Sequence, residues 1–504
     1  MPKRAASPSS AAKPPARKRP RASPDPAAPL SNDDCAGRGQ WKDWPAPRAQ
    51  MDVAKDWIRE CVDGAHRTVI CPDKDADGLS SAVVLSLALG ALSHPPALVE
   101  IYHLPRALNI HAPAAQAGIL STFDSAGGPT RCIVLDQGSR PGPALLPPDS
   151  GCETLIIDHH LCDVFPAGAT VLSACHALPV ATTSLLAYHL CAELVPALRG
   201  ARAAGLAALI GVYGDLGGGK VKFGSEPWPA SLAAIEKSVT KTALSKAVAL
   251  LNAPRRTPQF NVADAYKALW AAAAGEDGAG EGEGLKRVLG DERLLEAKER
   301  TSAETSRWQG APPVFSKDGR IAVIIVDSGY QVHPVIATRW SGTLRKAKTL
   351  VCVMCANTGF TPGYVHFSCR SPRRDSDSSA EPRVDLIAFL RSLAPACDAL
   401  APGWSERVGE DFARGHREAT GGIIPRAEFD VLLRAAEVGV KKEGGASPVK
   451  RAGKGVIDAG MKRGALEGFF KPVKREDDGI ADKGSDLKRG RGGKVAKIEV
   501  VEAE

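Results

Sequence analysis

The sequence predicts an α/β fold in which two α/β domains are joined by a helical connector. Between residues 52 and 225, short β-rich runs alternate with longer apolar stretches of helical character. The β-rich runs are continuously apolar, which is typical of parallel strands buried on both faces of a sheet. A similar alternation returns between residues 315 and 437. We therefore expect a parallel-sheet domain followed by a second, smaller α/β domain.

The individual elements are predicted from β-branched runs and from Ala- and Leu-rich stretches. The strands of the first domain are expected at residues 68–71, 131–135 and 154–157. Its helices are expected at residues 80–92, 181–194 and 201–213. One long connecting helix is expected over residues 285–308, and the clearest strands of the second domain are residues 321–326 and 349–354.

Composition divides the chain of 504 residues into five regions. Both ends are rich in small, polar and basic residues with few apolar side chains to pack, so they are expected to be disordered. The regions are a disordered basic tail over 1–50, a first domain over 51–228, a helical connector with a Gly/Glu-rich insertion over 229–312, a second domain over 313–440 and a disordered tail over 441–504.

Charge is distributed unevenly along the chain. Of the net charge of +8, residues 1–30 carry +6 and residues 441–504 carry +5, which leaves −3 for residues 31–440. An acidic body that handles a polyanion needs local compensation, which bound divalent cations supply. The basic cluster Arg17, Lys18, Arg19 and Arg21 is typical of a nuclear localisation signal, so we expect the protein in the nucleus.

Membrane and secreted proteins are the classes that the sequence argues against. No apolar run reaches the roughly 18–20 residues that span a bilayer, so no membrane association is expected. The N-terminus lacks the apolar stretch of a secretory signal. The twelve cysteines are therefore interpreted as reduced thiols of the core.

Acidic and histidine side chains follow the predicted apolar elements at four places. In a parallel sheet, the loops at the carboxyl ends of the strands share one edge, where ligands bind. We expect these side chains to converge there, including one that returns to the edge after a long helix. They are Asp73, Asp75 and Asp77, then Asp136, then Asp158, His159 and His160, and finally Asp215.

Carboxylates gathered in one crevice repel one another unless cations neutralise them or their pKa values rise. Oxygen ligands with one or two imidazoles suit Mn²⁺ or Mg²⁺ better than Zn²⁺. Two such ions about 3.5–4 Å apart can activate a water and stabilise both oxygens of an in-line displacement at phosphorus. The sequence therefore predicts two divalent ions, with Mn²⁺ preferred and Mg²⁺ possible.

These four motifs, in this order, resemble those of the DHH phosphoesterases. The resemblance continues downstream, where residues 368–371, Gly415 and His416 with Ala419, and residues 421–422 are similar to the C-terminal DHH-associated domain. Residues 330–336 are similar to a segment of RecJ-type exonucleases. Together the similarities cover roughly residues 65–435 and imply a DHH domain followed by a DHH-associated, substrate-binding domain.

The resemblance also implies roles for individual residues. Asp75 and Asp77 would each bind a metal ion, Asp136 and Asp215 would bridge or share the pair, and His159 would bind the second ion. His160 would contact the scissile phosphate, while Asp158 would orient a ligand. Asp73 would be a further ligand in RecJ-like members. Arg370, Ser371, Gly415 and His416 would bind the nucleic acid, Arg370 through its forked donors.

Two other motifs receive a structural interpretation. Residues 214–220 nearly match a P-loop, but Val221 stands where Ser or Thr would hold Mg²⁺, and Asp215 would place a negative charge inside the phosphate cradle. We therefore reject an ATPase. Cys352 and Cys355 have no second CxxC pair, and core thiols explain them better than zinc does.

The C-terminal tail contains a segment similar to a sliding-clamp-binding box. Leu466, Phe469 and Phe470 provide one aliphatic and two aromatic side chains for an apolar pocket, although Arg463 stands where the motif has Gln. A Phe-Phe pair in a basic tail has little structural reason to exist. We expect a sliding clamp as a partner.

The leading functional expectation is a metal-dependent exonuclease on single-stranded DNA in replication or repair, acting 5′→3′ by resemblance. A first alternative is a phosphodiesterase for oligoribonucleotides or cyclic dinucleotides, or a polyphosphatase, because the same metal core serves all of them. A second alternative is a non-catalytic replication scaffold. The presence of every expected metal ligand argues against the scaffold.

Overall fold

The computed structural model describes residue 41 and residues 43–440, apart from residues 220, 275–282, 374–383 and 410–411. The helices with five or more residues are α1 Arg48–Asp63, α2 Ala76–Ala91, α3 Pro113–Leu120, α4 Thr183–Leu194, α5 Arg202–Asp215, α6 Ala230–Ser238, α7 Lys241–Leu251, α8 Val262–Ala274, α9 Glu283–Gly290, α10 Glu292–Trp308, α11 His333–Thr343, α12 Leu386–Arg391, α13 Ala394–Leu400, α14 Trp404–Val408 and α15 Arg426–Ala435. The strands are β1 Thr68–Pro72, β2 Val99–Ile101, β3 Arg131–Leu135, β4 Glu153–Asp158, β5 Thr170–Ser173, β6 Val314–Phe315, β7 Ile321–Val326, β8 Cys352–Thr361, β9 Tyr364–Arg370, β10 Arg414–His416 and β11 Ala419–Pro425.

The first sheet is entirely parallel and has the strand order β2-β1-β3-β4-β5. Its central strands β1 and β3 are buried along their whole length. Alternate residues of β3 enter different cores, because Ile133 packs with the large helical cluster and Val134 packs in a smaller cluster on the opposite face. The sequence prediction of a parallel sheet covered on both faces is confirmed.

Helices α2, α4 and α5 form the main layer over one face of this sheet. Small residues let their axes approach closely, as at Gly211 of α5, where an added Cβ would lie 2.2 Å from Ser184 Oγ of α4. Helices α7, α8 and α9 contribute buried residues such as Leu250, Leu269 and Val288 to the same core. The connector is therefore a packed part of the first core and more than a link between domains.

The ordered fold begins earlier than the sequence prediction of a disordered tail over residues 1–50 allows. Trp44 and Ala46 are buried, and the Trp44 indole N–H donates to the Pro179 carbonyl oxygen at 2.8 Å. The prediction of one helix over residues 285–308 is also wrong. Helix α9 ends at Gly290. The Asp291 side chain then accepts backbone N–H bonds that cap the start of a separate helix, α10.

The second sheet has the strand order β10-β11-β9-β8-β7-β6. Only β7 and β8 are parallel neighbours, and the remaining pairs among the described strands are antiparallel. Helix α11 packs on this sheet through Ile336 and Ala337, which share a core with Ile324 and Val353. The structure confirms the prediction that the second domain contains both a sheet and helices.

Arg106 joins the two domains. It lies in the loop after β2, and its guanidinium stacks over the Phe360 ring with Cζ 3.9 Å from the ring centroid. The same guanidinium donates to the carbonyl oxygens of Gly329, at 3.0 Å, and of Phe360. A further bond reaches the Pro258 carbonyl oxygen at 3.3 Å. One side chain from a loop of the first domain thus contacts both the connector and the second sheet.

Several predicted features lie outside the described residues. They are the basic cluster at Arg17, Lys18, Arg19 and Arg21, the Gly/Glu-rich insertion, and the clamp-binding segment with Leu466, Phe469 and Phe470. Among the helices that the structure describes, none combines the length and the apolar character needed to cross a bilayer.

A buried histidine makes the stability of the first domain dependent on pH. The His189 ring packs edge-on against Trp44 at 5.1 Å between centroids, and its Nε2 atom has no hydrogen-bond partner among the described residues. Burial lowers the pKa of His189 to about 4, whereas a free imidazole titrates near 6.5. Below pH 6.5 the unfolded chain therefore binds a proton that the folded chain does not bind.

We expect the free energy of unfolding to fall by about 3 kcal/mol through His189 alone as the pH drops from 6.5 to 4. Urea denaturation at these two pH values measures this loss. The variant His189→Leu should reduce the difference between the two pH values by that amount. An unchanged difference in His189→Leu would contradict the prediction.

Candidate metal centre

The carboxyl edge of the first sheet gathers the predicted acidic side chains. The hydrogen-bonded ladder continues past the strand ends, since the Asp73 N–H donates to the Leu135 oxygen at 2.9 Å and the Asp136 N–H donates to the Ile157 oxygen at 3.0 Å. Asp136 has a φ of +62°, in the left-handed region that Asp tolerates better than most residues. The loops after β1, β3 and β4 are thereby held side by side.

The start of α2 shapes the first acidic loop. Asp75 is the N-cap, and its Oδ1 atom accepts N–H bonds from Asp77 at 3.0 Å and from Gly78 at 3.3 Å. The loop folds back so tightly that a Cβ atom at Gly78 would lie 2.5 Å from the backbone carbonyl oxygen of Asp73. Only glycine fits at this point without a shift of the backbone.

Two groups of side chains are each close enough to hold one metal ion. Within each group, one potential ligand atom per residue lies within 4.8 Å of the others. One group is Asp73, Asp75 and Asp136, and the other is Asp136, His159 and His160. Asp136 belongs to both groups, as expected of a ligand shared between two ions.

The remaining predicted ligands lie next to these groups. His159 Nε2 is 3.3 Å from Asp136 Oδ1, and His159 Nδ1 is 3.9 Å from Asp215 Oδ2. Asp215 is the last residue of α5, so the long helix does return to the edge of the sheet. Asp77 is buried behind the loop, where its two oxygens accept the N–H groups of Thr183 and Ser184 at 2.8 and 3.1 Å.

The electrostatics of this cluster favour bound cations. Burial raises the pKa of Asp136 well above its ordinary value, and the charges of Asp77 and Asp75 raise it further. Burial raises the pKa of Asp77 to about 6, although His159 acts in the opposite direction. Crowded carboxylates that resist ionisation, together with imidazole nitrogens, are a donor set that fits divalent metal ions.

Asp158 and His160 form a separate ion pair at the rim of the cluster. Asp158 is fully buried and accepts the ring Nδ1–H of His160 at 2.8 Å and the backbone N–H of His159 at 2.7 Å. Burial raises the pKa of Asp158, but the hydrogen bond and charge of His160, together with the hydrogen bond from Ser139 and the charge of His159, lower it below its ordinary value. Partial desolvation lowers the pKa of His160, but the hydrogen bond and charge of Asp158 raise it to about 9. A half-exposed imidazolium therefore faces the site at neutral pH.

Two further residues contact the cluster and were missed in the sequence. Arg255 Nη2 is 3.9 Å from Asp75 Oδ2. For Asp75, burial would raise the pKa, but Arg255 and the capping N–H groups lower it. Thr183 Oγ1 donates to Asp136 Oδ1 at 2.9 Å. The three hydroxyl residues at 182–184 before an apolar stretch are a helix N-cap signal, but sequence alone does not tell where that helix points.

The predicted nucleic-acid-binding residues lie at the end of the second sheet. Arg370 ends β9, and its guanidinium donates to Ser368 Oγ and to the Cys369 oxygen, both at 2.8 Å. Burial lowers the pKa of Arg370. The buried Ser371 Oγ has no hydrogen-bond partner among the described residues. Gly415 has a φ of +111°, and its neighbour His416 pairs with Ala419 through the backbone.

The comparison with family models gives one match. Residues 67–209 match the DHH family, N-terminal domain. Residues 67–209 therefore correspond to a DHH-family domain. This match covers the stretch from β1 to the middle of α5, which contains both groups of potential metal ligands. The predicted similarity to the DHH family is confirmed over these residues. A search of curated proteins found no match.

Solved structures share the fold around the DHH domain. RecJ from Thermus thermophilus, in complex with Mn²⁺, aligns with a TM-score of 0.52 and 16% identity over 78% of this chain and 55% of RecJ. The DHH domain of a protein described as a member of a ribosomal-protein family aligns with a TM-score of 0.53 and 15% identity over 77% of this chain and 90% of the other. CDC45 from Entamoeba histolytica aligns with a TM-score of 0.44 and 8% identity over 77% of this chain and 98% of CDC45.

This chain spans about half of the length of the Thermus RecJ chain that it matches. At these identities the likeness shows the fold: a parallel-sheet DHH domain followed by a second sheet domain, as in RecJ.

Proposed function

We propose that this protein is a two-metal phosphodiesterase that removes nucleotides from the end of single-stranded DNA. The observation that carries the proposal is the position of Asp136, which belongs to both groups of potential metal ligands. A carboxylate shared in this way is suited to hold two ions at the short separation that phosphoryl-transfer sites use. Mn²⁺ is the favoured metal, with Mg²⁺ as a substitute.

The residues around the cluster have distinct roles in this proposal. Asp73, Asp75, Asp77, Asp136, His159 and Asp215 would hold the ions. Asp215, whose Oδ2 atom lies 3.9 Å from His159 Nδ1, would then replace His160 as the third ligand of the second group. When bound, the ions supply a water of lowered pKa and neutralise negative charge at the phosphate. His160, kept protonated by Asp158, donates a charge-assisted hydrogen bond to a phosphate oxygen of the substrate. Arg370 and Ser371 on the second sheet bind the phosphodiester backbone together with Gly415 and His416.

A DNA substrate is proposed on the basis of two sequence segments outside the described residues. The basic cluster at Arg17, Lys18, Arg19 and Arg21 and the clamp-like Leu466, Phe469 and Phe470 both favour a nuclear protein of DNA replication or repair. Oligoribonucleotides, cyclic dinucleotides or polyphosphate remain the alternative substrates for the same metal core.

A length series tests the proposal. The full-length protein is mixed with end-labelled 5-mers and 40-mers of single-stranded DNA and RNA, with Mn²⁺ or Mg²⁺ and with Asp136→Ala as the negative control. We expect a ladder of single-nucleotide steps on the DNA 40-mer, and labelling of either end gives the polarity, which we propose to be 5′→3′. Cleavage of the 5-mers alone would overturn the exonuclease proposal. Activity retained in Asp136→Ala would show a contaminant or a different site.

The clamp partner is tested separately from catalysis. We expect the intact protein to bind a sliding clamp, and the double variant Phe469→Ala with Phe470→Ala to lose this binding while it keeps its nuclease activity on naked DNA. Equal binding by both proteins would remove the clamp from the proposal.

A further inference from the structure

We propose that Thr183 is a positioning residue that fixes two of the metal ligands, Asp77 and Asp136, in the geometry that binds the ions. This inference rests on the proposed metal-dependent function and extends it to a residue outside the DHH motifs. Thr183 lies at the start of α4, more than twenty residues after the Asp-His-His motif, and is fully buried.

Three hydrogen bonds connect the first turn of α4 to the two carboxylates. The Thr183 N–H donates to Asp77 Oδ2 at 2.8 Å, and the Ser184 N–H donates to Asp77 Oδ1 at 3.1 Å. The Thr183 hydroxyl donates to Asp136 Oδ1 at 2.9 Å. Thr183 is therefore in contact with one ligand through its backbone and with another through its side chain.

These bonds constrain the carboxylates without using all of their acceptor capacity. An ionised carboxylate has two oxygens with about four lone-pair sites. Asp77 uses one site on each oxygen for α4, and Asp136 uses one site on Oδ1 for the Thr183 hydroxyl. The remaining sites can accept cations, while the orientation of each carboxylate is already set. The first turn of a twelve-residue helix also presents partial positive charge to both carboxylates.

The Thr183 hydroxyl is not needed to start the helix, because its neighbour Thr182 does this. Thr182 is the N-cap of α4, and its Oγ1 atom accepts the Leu185 N–H at 3.4 Å. The Thr183 hydroxyl points at Asp136 instead, whose backbone is in the less favourable left-handed region. The adjacent threonines thus separate the two roles, and a matched pair of variants can distinguish them.

The test measures Mn²⁺ affinity by titration calorimetry on the full-length protein. Thr183→Val keeps the size of the side chain but removes the donor, and we expect it to bind Mn²⁺ 10–100-fold more weakly, the usual cost of losing an outer-shell partner. Thr183→Ser keeps the donor and should remain within about threefold of the unaltered protein. Thr182→Val should lower the melting temperature but leave Mn²⁺ affinity unchanged.

A second readout separates positioning from misfolding. Cleavage by Thr183→Val should recover as the Mn²⁺ concentration is raised, which loss of folded protein would not permit. If Thr183→Val does not fold, Thr183→Ala removes the same hydroxyl without adding a methyl group in its place. Mn²⁺ affinity equal to that of the unaltered protein in a folded hydroxyl-free variant would overturn the inference alone. No Mn²⁺ uptake by the unaltered protein would overturn the proposed function, and this inference with it.

Discussion

Under the proposed function, replacement of Asp136 by Asn is expected to reduce cleavage of single-stranded DNA by about 10³-fold or more. Asp136 is the one residue common to both potential metal-binding groups in the described structure, so its loss affects both ions at once. Loss of an outer-shell partner typically costs 10–100-fold, and loss of a shared ligand should cost more. Asn keeps the shape of the side chain and an oxygen that can accept from Thr183, so the change isolates the charge.

The same variant should be more stable than the unaltered protein when metal is removed. Burial and the charges of Asp77 and Asp75 raise the pKa of Asp136, so ionising this carboxylate at neutral pH opposes folding. Asp136→Asn removes that cost, and its melting temperature in EDTA should be higher. Mn²⁺ should raise the melting temperature of the unaltered protein and have much less effect on the variant.

Asp149→Asn is a suitable control, because Asp149 is exposed and precedes β4, whereas the metal ligands of this sheet follow the ends of its strands. It should change neither nuclease activity nor the response to Mn²⁺. Full nuclease activity in Asp136→Asn, or a lower melting temperature in EDTA, would contradict the electrostatic description of the site.

Gly211→Ala is expected to have the second-largest effect, although Gly211 is not a ligand. An added Cβ would lie 2.2 Å from Ser184 Oγ and 2.7 Å from Asp77 Oδ1, far inside van der Waals contact. Helix α5 would then push the start of α4 away from Asp77. A displacement of this kind, near 1 Å, can cost about 100-fold in rate, and overpacking typically costs about 1–3 kcal/mol in stability.

Gly90→Ala provides the matched control for this glycine. Gly90 also lies in a helix, α2, but an added Cβ there has no atom within 4 Å. We expect Gly90→Ala to preserve activity and to raise stability slightly, because Ala favours helix more than Gly does. Cleavage assays and thermal melts of the two variants measure the difference. Equal activity in both variants would mean that α4 can move without disturbing Asp77.

The convergence of the site could be predicted because it depends on strand ends. Asp136 and Asp158 each lie at the end of a buried parallel strand, and parallel strands end at one edge. Asp215 was predictable for a weaker reason, since it ends a long apolar helix and only the packing of α5 on α2 brings it back. The residue types of this edge and their order were sufficient for the metal hypothesis.

The rest of the site depends on packing that no local pattern encodes. The sequence around Thr183 predicts only a helix cap. The direction of α4 in the structure is what places the Thr183 hydroxyl within hydrogen-bonding distance of Asp136. The sequence shows Arg255 only as a basic residue between two helices. The packing of the connector places it beside Asp75. The edge strands β2 and β5 are three and four residues long, and such short pieces carry little periodic signal.

The contacts of Arg106 would affect how a long polymer reaches the carboxyl edge of the first sheet. Its stacking on Phe360 and its bonds to Gly329 and Pro258 connect the first domain to the connector and to the second sheet, and these contacts would have to break before the two domains could separate there. Under the proposed function, a DNA strand would enter with one terminus first, past the Arg106 contacts. These contacts would therefore favour removal of nucleotides from a free end over cleavage in the middle of the DNA strand.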